Sequence, residues 1–195
     1  MMPVVVLVVG TPCVGKSTLS RRLVECLGGF YVNLTDYANQ NGLTLGEDSV
    51  RNTVVVDEEK MCRALLDTIS QSVCSVVVVD GHFAASVVSC DLSSFVFVLR
   101  RNPVELKGYM QKEGFSENKM FENLSAEILD VCLVEALEVH GDKVCEIDVT
   151  GKTVDQTLAE VLSIISQEKP CSRYGVVDWL GFLEQAGLTD RYLRG

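Results

Sequence analysis

Pro3-Val4-Val5-Val6-Leu7-Val8-Val9-Gly10-Thr11-Pro12-Cys13-Val14-Gly15-Lys16-Ser17-Thr18 is the stretch on which the reading of this chain turns. Its first seven residues are apolar without alternation, as a parallel strand buried on both faces requires. Gly10 to Ser17 then fits G-x-x-x-x-G-K-S/T without a gap. Leu19, Leu23, Val24 and Leu27 follow at helical spacing, and Gly28-Gly29 supply the stop. Strand, glycine-rich loop and amphipathic helix in that order form a phosphate cradle. Successive backbone N–H groups make a concave nest, and the start of the helix adds partial positive charge. Lys16 is expected to reach the β- and γ-phosphates, and the Ser17 hydroxyl to join a Mg²⁺ ion. A glycine turn with a solvated lysine is the plainer alternative. At ordinary residue frequencies a chance match is on the order of one in a hundred.

Outward from that loop the same alternation continues. Val76–Val79 and Phe95–Leu99 are further continuous apolar runs, with Phe30–Asn33 and Val144–Val149 as weaker strands. Leu129, Cys132, Leu133, Ala136 and Leu137 make one helical stripe, and Val154, Leu158, Val161, Leu162 and Ile165 another. Buried strands alternating with helices imply an α/β, three-layer P-loop fold around a mostly five-stranded parallel sheet, with ligands at the carboxyl ends of the strands. In Val76-Val77-Val78-Val79-Asp80-Gly81-His82 a hydrophobic strand ends in a carboxylate. Beside a phosphate loop, Asp80 is a candidate to hold Mg²⁺ through water, and His82 to orient an attacking water or acceptor. A histidine merely hydrogen-bonded within its loop is the other reading of His82. His140, at the end of a helical stripe, reads as a C-terminal cap.

With 195 residues there is room for one domain and little more. The formal charge of −10 excludes general binding to nucleic-acid backbones, so phosphate must be held by a few focused groups. Met1–Val9 lacks a basic flank and runs into Gly10-Thr11-Pro12, so it does not read as a targeting segment, and no stretch reaches membrane-spanning length. The eight cysteines form no Cys-x-x-Cys pair, and several fall in apolar stripes. They read as reduced core residues of a soluble, cytoplasmic protein. Composition shifts at Pro170. Residues 169–195 include Lys169, Arg173, Arg191 and Arg194 and carry net +1, leaving −11 on 1–168. This extension holds the single tryptophan, Trp179, with Leu180, Phe182 and Leu183. Two readings stay open, a helix packed on the domain or a docking element for a partner.

GTPCVGKST, YVNLTDYA, VDEEK, VVVDGHF, FVFVLRRNP, GFSENKMFENLSAEILDVCLVEA and TGKT together resemble the atypical adenylate kinases of archaea and eukaryotes, over residues 3–166. The Asp-x-His strand end and the run Glu122, Asn123, Glu127 carry the specificity, because many kinases share the loop. The resemblance implies a nucleoside monophosphate kinase (ATP + AMP = 2 ADP) with ATPase activity. It also implies a role in late small-subunit maturation and rRNA processing, with the eleventh small-subunit ribosomal protein and the pre-ribosomal subunit as partners. It assigns Cys13, Gly15, Lys16, Ser17, Thr18 and Lys152 to ATP, Asn33 and Asp36 to the monophosphate, and Ser17 and Asp80 to Mg²⁺. Lys16, Asp80 and His82 become the catalytic set. The kinase domain spans 1–168, with a monophosphate segment near 33–56 and a lid near 112–122, and 169–195 is a helical extension.

The chain departs from that family in three places. Cys13 stands where relatives usually have glycine, Glu113 where they have an arginine before the lid glycine, and Tyr109 at another lid arginine. Lys107, Lys112 and Lys119 are candidates to compensate, without the bidentate fork of arginine. The weakened lid makes phosphotransfer to AMP less secure than ATP binding. An ATPase assembly factor with little kinase activity, and a kinase of another small metabolite, are therefore the alternatives. A signalling GTPase is disfavoured by the lack of an Asn-Lys-x-Asp motif.

Overall fold

The computed structural model describes residues 2–48, 53–171 and 174–193. Arg173, Arg194 and positions 49–52 of the 33–56 segment lie outside them. In chain order the elements are β1 (Val4–Val9), α1 (Lys16–Leu27), β2 (Phe30–Asn33), α2 (Leu34–Gln40), β3 (Thr44–Asp48), β4 (Thr53–Val56), α3 (Glu58–Ser70) and β5 (Val76–Asp80). Then come α4 (Ala84–Val87), β6 (Phe95–Arg100), α5 (Pro103–Lys112), α6 (Glu117–Ile128), α7 (Val131–His140), β7 (Val144–Asp148), α8 (Val154–Ile165), α9 (Trp179–Gln185) and α10 (Thr189–Leu193).

Five parallel strands form one sheet in the order β2-β5-β1-β6-β7, and β3 and β4 form a separate antiparallel pair. Because side chains alternate along a strand, β1 feeds both faces. Val5, Leu7 and Val9 join Leu65, Ile69 and Ala136 on one side, while Val6 and Val8 join Leu19, Leu23 and Val161 on the other. Helices on both faces bury β1 completely beyond Val4, which is why its sequence is an unbroken apolar run. A third cluster, outside the sheet, packs Leu106, Met110, Met120 and Leu124 against Trp179, Leu183 and Tyr192.

The chain leaves β1 for one edge of the sheet, returns through β5 on one side of β1, and crosses to β6 on the other. This topological switch opens a crevice at the carboxyl ends of β1 and β5, where Gly10 and Asp80 stand. Local signals agree with the tertiary arrangement. Gly28 ends α1 in the left-handed conformation with its N–H on the Val24 carbonyl, and a Thr153/Gln156 capping box starts α8.

Three expectations need correction. Leu129 is not part of the stripe of α7: it ends α6 and is exposed, because Asp130 takes a left-handed conformation that separates the two helices. His140 does not cap α7. Its buried ring turns inward, with Nε2 2.9 Å from the Ala85 carbonyl oxygen and Nδ1 2.9 Å from Ser93 Oγ, so it ties α7 to α4. The thiols are not all reduced: Cys145 and Cys171, with Cα atoms 5.5 Å apart, form a disulfide.

Candidate functional site

The loop between β1 and α1 is shaped by backbone constraints. Gly10 adopts φ +139, and a Cβ there would lie 2.6 Å from the Leu99 carbonyl oxygen. Gly15 starts α1 at φ +113, outside the range of most side chains. Cys13 is held at φ +67, a conformation that costs a residue with a Cβ about 1–2 kcal/mol. Its thiol is kept protonated by burial and, next, by the nearby Glu113. Lys16 folds over the loop, its Nζ donating to the carbonyl oxygens of Gly10 and Thr11, both at 2.8 Å. Burial lowers its pKa, a penalty that Asp80 and other neighbours offset in part.

The strand register brings the second group to the same place. β2 pairs with β5 so that Asn33 lies opposite Asp80, and β1 with β5 so that Val8 does. Asp80 is fully buried and accepts two hydrogen bonds, from Asn33 Nδ2 at 2.5 Å and from the Tyr31 hydroxyl at 2.7 Å. Burial, followed by the bond to Asp80, raises the Tyr31 pKa, which keeps that hydroxyl a donor. The Asp80 carboxylate and the Ser17 hydroxyl are hard oxygen ligands lining the same space. That chemistry suits Mg²⁺, which keeps waters and takes one or two protein ligands beside substrate phosphates. Among the described residues no group of three or more His, Cys, Asp or Glu could hold a metal alone.

A cavity of about 730 Å³ opens over these groups. Pro12, Cys13, Lys16, Ser17 and Asp80–Phe83 form its floor, and Asn33, Thr35, Asn39, Val55, Val56 and Glu58 line one flank. Phe115, Lys119, Glu122 and Asn123 close the other from α6 and the turn before it. His82 faces this space, edge-on to Phe83. Desolvation beside the cavity walls, and then the charge on Lys16, lowers its pKa to about 4, so the ring is neutral at pH 7.

Lys16, Ser17, Cys13, Asn33, Asp80 and His82 are thus brought together, while other residues singled out in the sequence are not. Gly15 and Thr18 are exposed and do not line the cavity. Asp36 is exposed, its backbone N–H bonded to Asn33 Oδ1 at the start of α2. Lys152, in the turn before α8, pairs with Glu160 at 2.8 Å. Of Lys107, Lys112 and Lys119, only Lys119 lines this cavity, its ammonium 4.9 Å from the Phe115 ring. Lys112 sits over Tyr109 and Lys107 over Tyr192.

The sequence alone did not point to Tyr31, although a position two residues before Asn33 on the same strand shares its face. Nor did it point to the charged cluster behind the loop. The fully buried Arg100 donates to Glu127 Oε1 at 3.0 Å, Glu146 Oε1 at 2.7 Å and Asp130. Burial opposes its charge, but Glu127 and Asp130 outweigh that and raise its pKa. The neighbouring Arg101 donates to the Val14 carbonyl and to Glu105.

A parallel sheet ordered β2-β5-β1-β6-β7 with this loop at its switch point defines a P-loop kinase fold. A shikimate kinase from Acinetobacter baumannii superposes with a TM-score of 0.59 at 19% identity, over 86% of this chain and 96% of that one. Thymidylate kinase from Candida albicans superposes at 0.57 and 16%, over 86% and 92%. The family described as AAA domain matches residues 6–130. A protein of Methanothermobacter thermautotrophicus named "Putative adenylate kinase" is 38% identical over 176 residues, 90% of this chain and 97% of its own. Its namesake in Thermococcus kodakarensis is 39% identical over 90% and 92%. The chain belongs to this adenylate kinase family of P-loop proteins.

Proposed function

We propose that this chain transfers the γ-phosphate of Mg-ATP to AMP or a related nucleoside monophosphate. The observation that carries this reading is the continuity of the cavity. Its floor carries Lys16, Ser17 and Asp80, which would grip a triphosphate and its metal, and the same space extends along Asn33, Thr35, Asn39, Val55, Val56 and Glu58, where a second nucleotide would enter. The loop amides and Lys16 would take the β- and γ-phosphates, leaving their carbonyl partners for the triphosphate oxygens. Ser17 and Asp80 would hold Mg²⁺, which when bound would neutralise negative charge on the phosphates. Asn33 and Tyr31 orient the Asp80 carboxylate. Lys119 would bring the lid's cation to the transferring group, and Phe115 beside it would exclude water. The monophosphate segment is 33–56 and the lid 112–122 within a kinase domain of 1–168, with 169–195 as an extension. Lys152 would lie by the adenine.

A second reading is ATP hydrolysis. Glu113 and Tyr109, in place of lid arginines, favour it, since they leave the transferring group with less positive charge, and the neutral His82 is suited to orient a water. In that reading the protein is a cytoplasmic assembly factor in late small-subunit maturation and rRNA processing. Its −10 charge would suit the basic surface of the eleventh small-subunit ribosomal protein. Incubation with Mg-ATP, with and without AMP, followed by nucleotide separation distinguishes the two. ADP formed only with AMP supports the kinase, equal ADP in both supports the ATPase, and none in either defeats both.

A further inference from the structure

The phosphate loop is held from behind by a carboxylate that also holds the C-terminal segment. Glu127 is 2% exposed. Its Oε2 accepts from Thr11 Oγ1 at 2.6 Å. Its Oε1 accepts from Arg100 Nε at 3.0 Å, the Arg101 backbone N–H at 3.1 Å and Trp179 Nε1 at 3.0 Å. A buried carboxylate with four protein donors is a fixed point, because any shift leaves a donor unsatisfied in a low-dielectric interior. Trp179 is therefore one hydrogen bond from the group that anchors Thr11.

Packing supplies a second route. Trp179, Leu183 and Tyr192 share a cluster with Leu106 and Met110, and Cys13 and Phe115 lie against that cluster while lining the cavity. A left-handed residue with a Cβ persists only where its surroundings over-determine it, and the C-terminal cluster supplies such surroundings for Cys13. The root of the segment is fastened too. Cys171 is bonded to Cys145, and the Val176 N–H donates to Glu146 Oε2 at 2.8 Å while Glu146 Oε1 accepts from Arg100.

We infer that Trp179 is a positioning residue for the phosphate loop, and that the segment 176–193 braces Thr11 and Cys13 in their nucleotide-binding form. As far as it concerns ATP, this inference rests on the reading of the loop as the ATP site. The test compares the full chain with Trp179→Phe, which keeps an aromatic ring but removes the N–H donor, and with Thr11→Val, which cuts the same link from the loop side. Amide hydrogen exchange is followed without nucleotide, and Mg-ATP and AMP are each titrated by calorimetry.

In Trp179→Phe, exchange over Gly10–Lys16 rises about tenfold, roughly the worth of one hydrogen bond to a charged group, while β5 and α8 stay unchanged. ATP binds about tenfold more weakly and AMP within twofold of wild type. The double variant is no more than about twofold worse than Thr11→Val, since both act through one carboxylate. Unchanged loop exchange and ATP affinity in Trp179→Phe overturn the inference. So does a uniform rise in exchange with equal weakening of both nucleotides, which is what general loosening would give. If the wild type binds no ATP yet Trp179→Phe loosens the loop, the brace stands and the functional reading falls.

Discussion

The floor and the roof of the cavity are built in opposite ways. The floor is backbone and short side chains at the ends of β1 and β5, where strand register sets every position and Asp80 is placed by its pairing with Asn33. The roof, α6 and the turn before it, is tied to β6 through the buried Arg100–Glu127 pair, and its apolar face is completed by α5, α9 and α10. A floor set by strand register and a roof resting on a charged cluster would separate grip from closure. In the proposed reaction, triphosphate binding would belong to the floor and exclusion of water to the roof.

The largest way to break that contrast is at the cluster beneath the roof. Arg100→Ala leaves Glu127 and Glu146 buried without their cation and is expected to cost about 3–5 kcal/mol in a urea titration. A loss under about 1 kcal/mol would mean the roof does not depend on this arginine. On the floor, Lys16→Ala is expected to lower turnover by about 10²–10³-fold in steady-state assays, while circular dichroism stays native, since the side chain bonds only to loop carbonyls. Asp80→Asn is expected to depress turnover more than ATP affinity, and equal losses would count against its role at the metal.

Smaller effects sharpen the comparison. Lys119→Ala is expected to reduce phosphotransfer to AMP by about tenfold and hydrolysis less, because it removes the lid cation that borders the cavity. Lys112→Ala, whose ammonium rests over Tyr109, is expected to change neither. The least effect is on pH dependence. His82 binds its proton near pH 4 in the folded protein and near 6.5 in the unfolded chain. The unfolded chain therefore takes up protons first, and stability falls as pH drops from 6.5 towards 4, with no contribution from this group above 7. Melting curves of wild type and His82→Gln should converge above pH 7 and diverge below 6.

The three central strands were legible because a parallel strand covered on both faces has no polar side to disguise it, while β2 and β7 at the sheet edges read more weakly. The phosphate loop was legible because its glycines and lysine are required at fixed spacing. Glu127 could be read as part of a helix, but not as a buried hub, since its four donors come from residues 11, 100, 101 and 179. The break at Asp130 was missed because left-handed conformation at an aspartate leaves no periodic trace. The pairing of Cys145 with Cys171 was equally hidden, for it depends on where α8 returns the chain.

Local pattern by itself determined the alternating layers, the loop and the carboxylate at the end of β5, because each is encoded by residues adjacent in the chain. Only the tertiary structure decided that Lys119, and not Lys107 or Lys112, lines the cavity, that Asp36, Thr18 and Lys152 do not, and that the C-terminal segment docks on its own domain. Those outcomes are set by which distant groups meet. An amphipathic segment with a tryptophan can cover any apolar surface, and here the donor-hungry carboxylate of Glu127 selects the place.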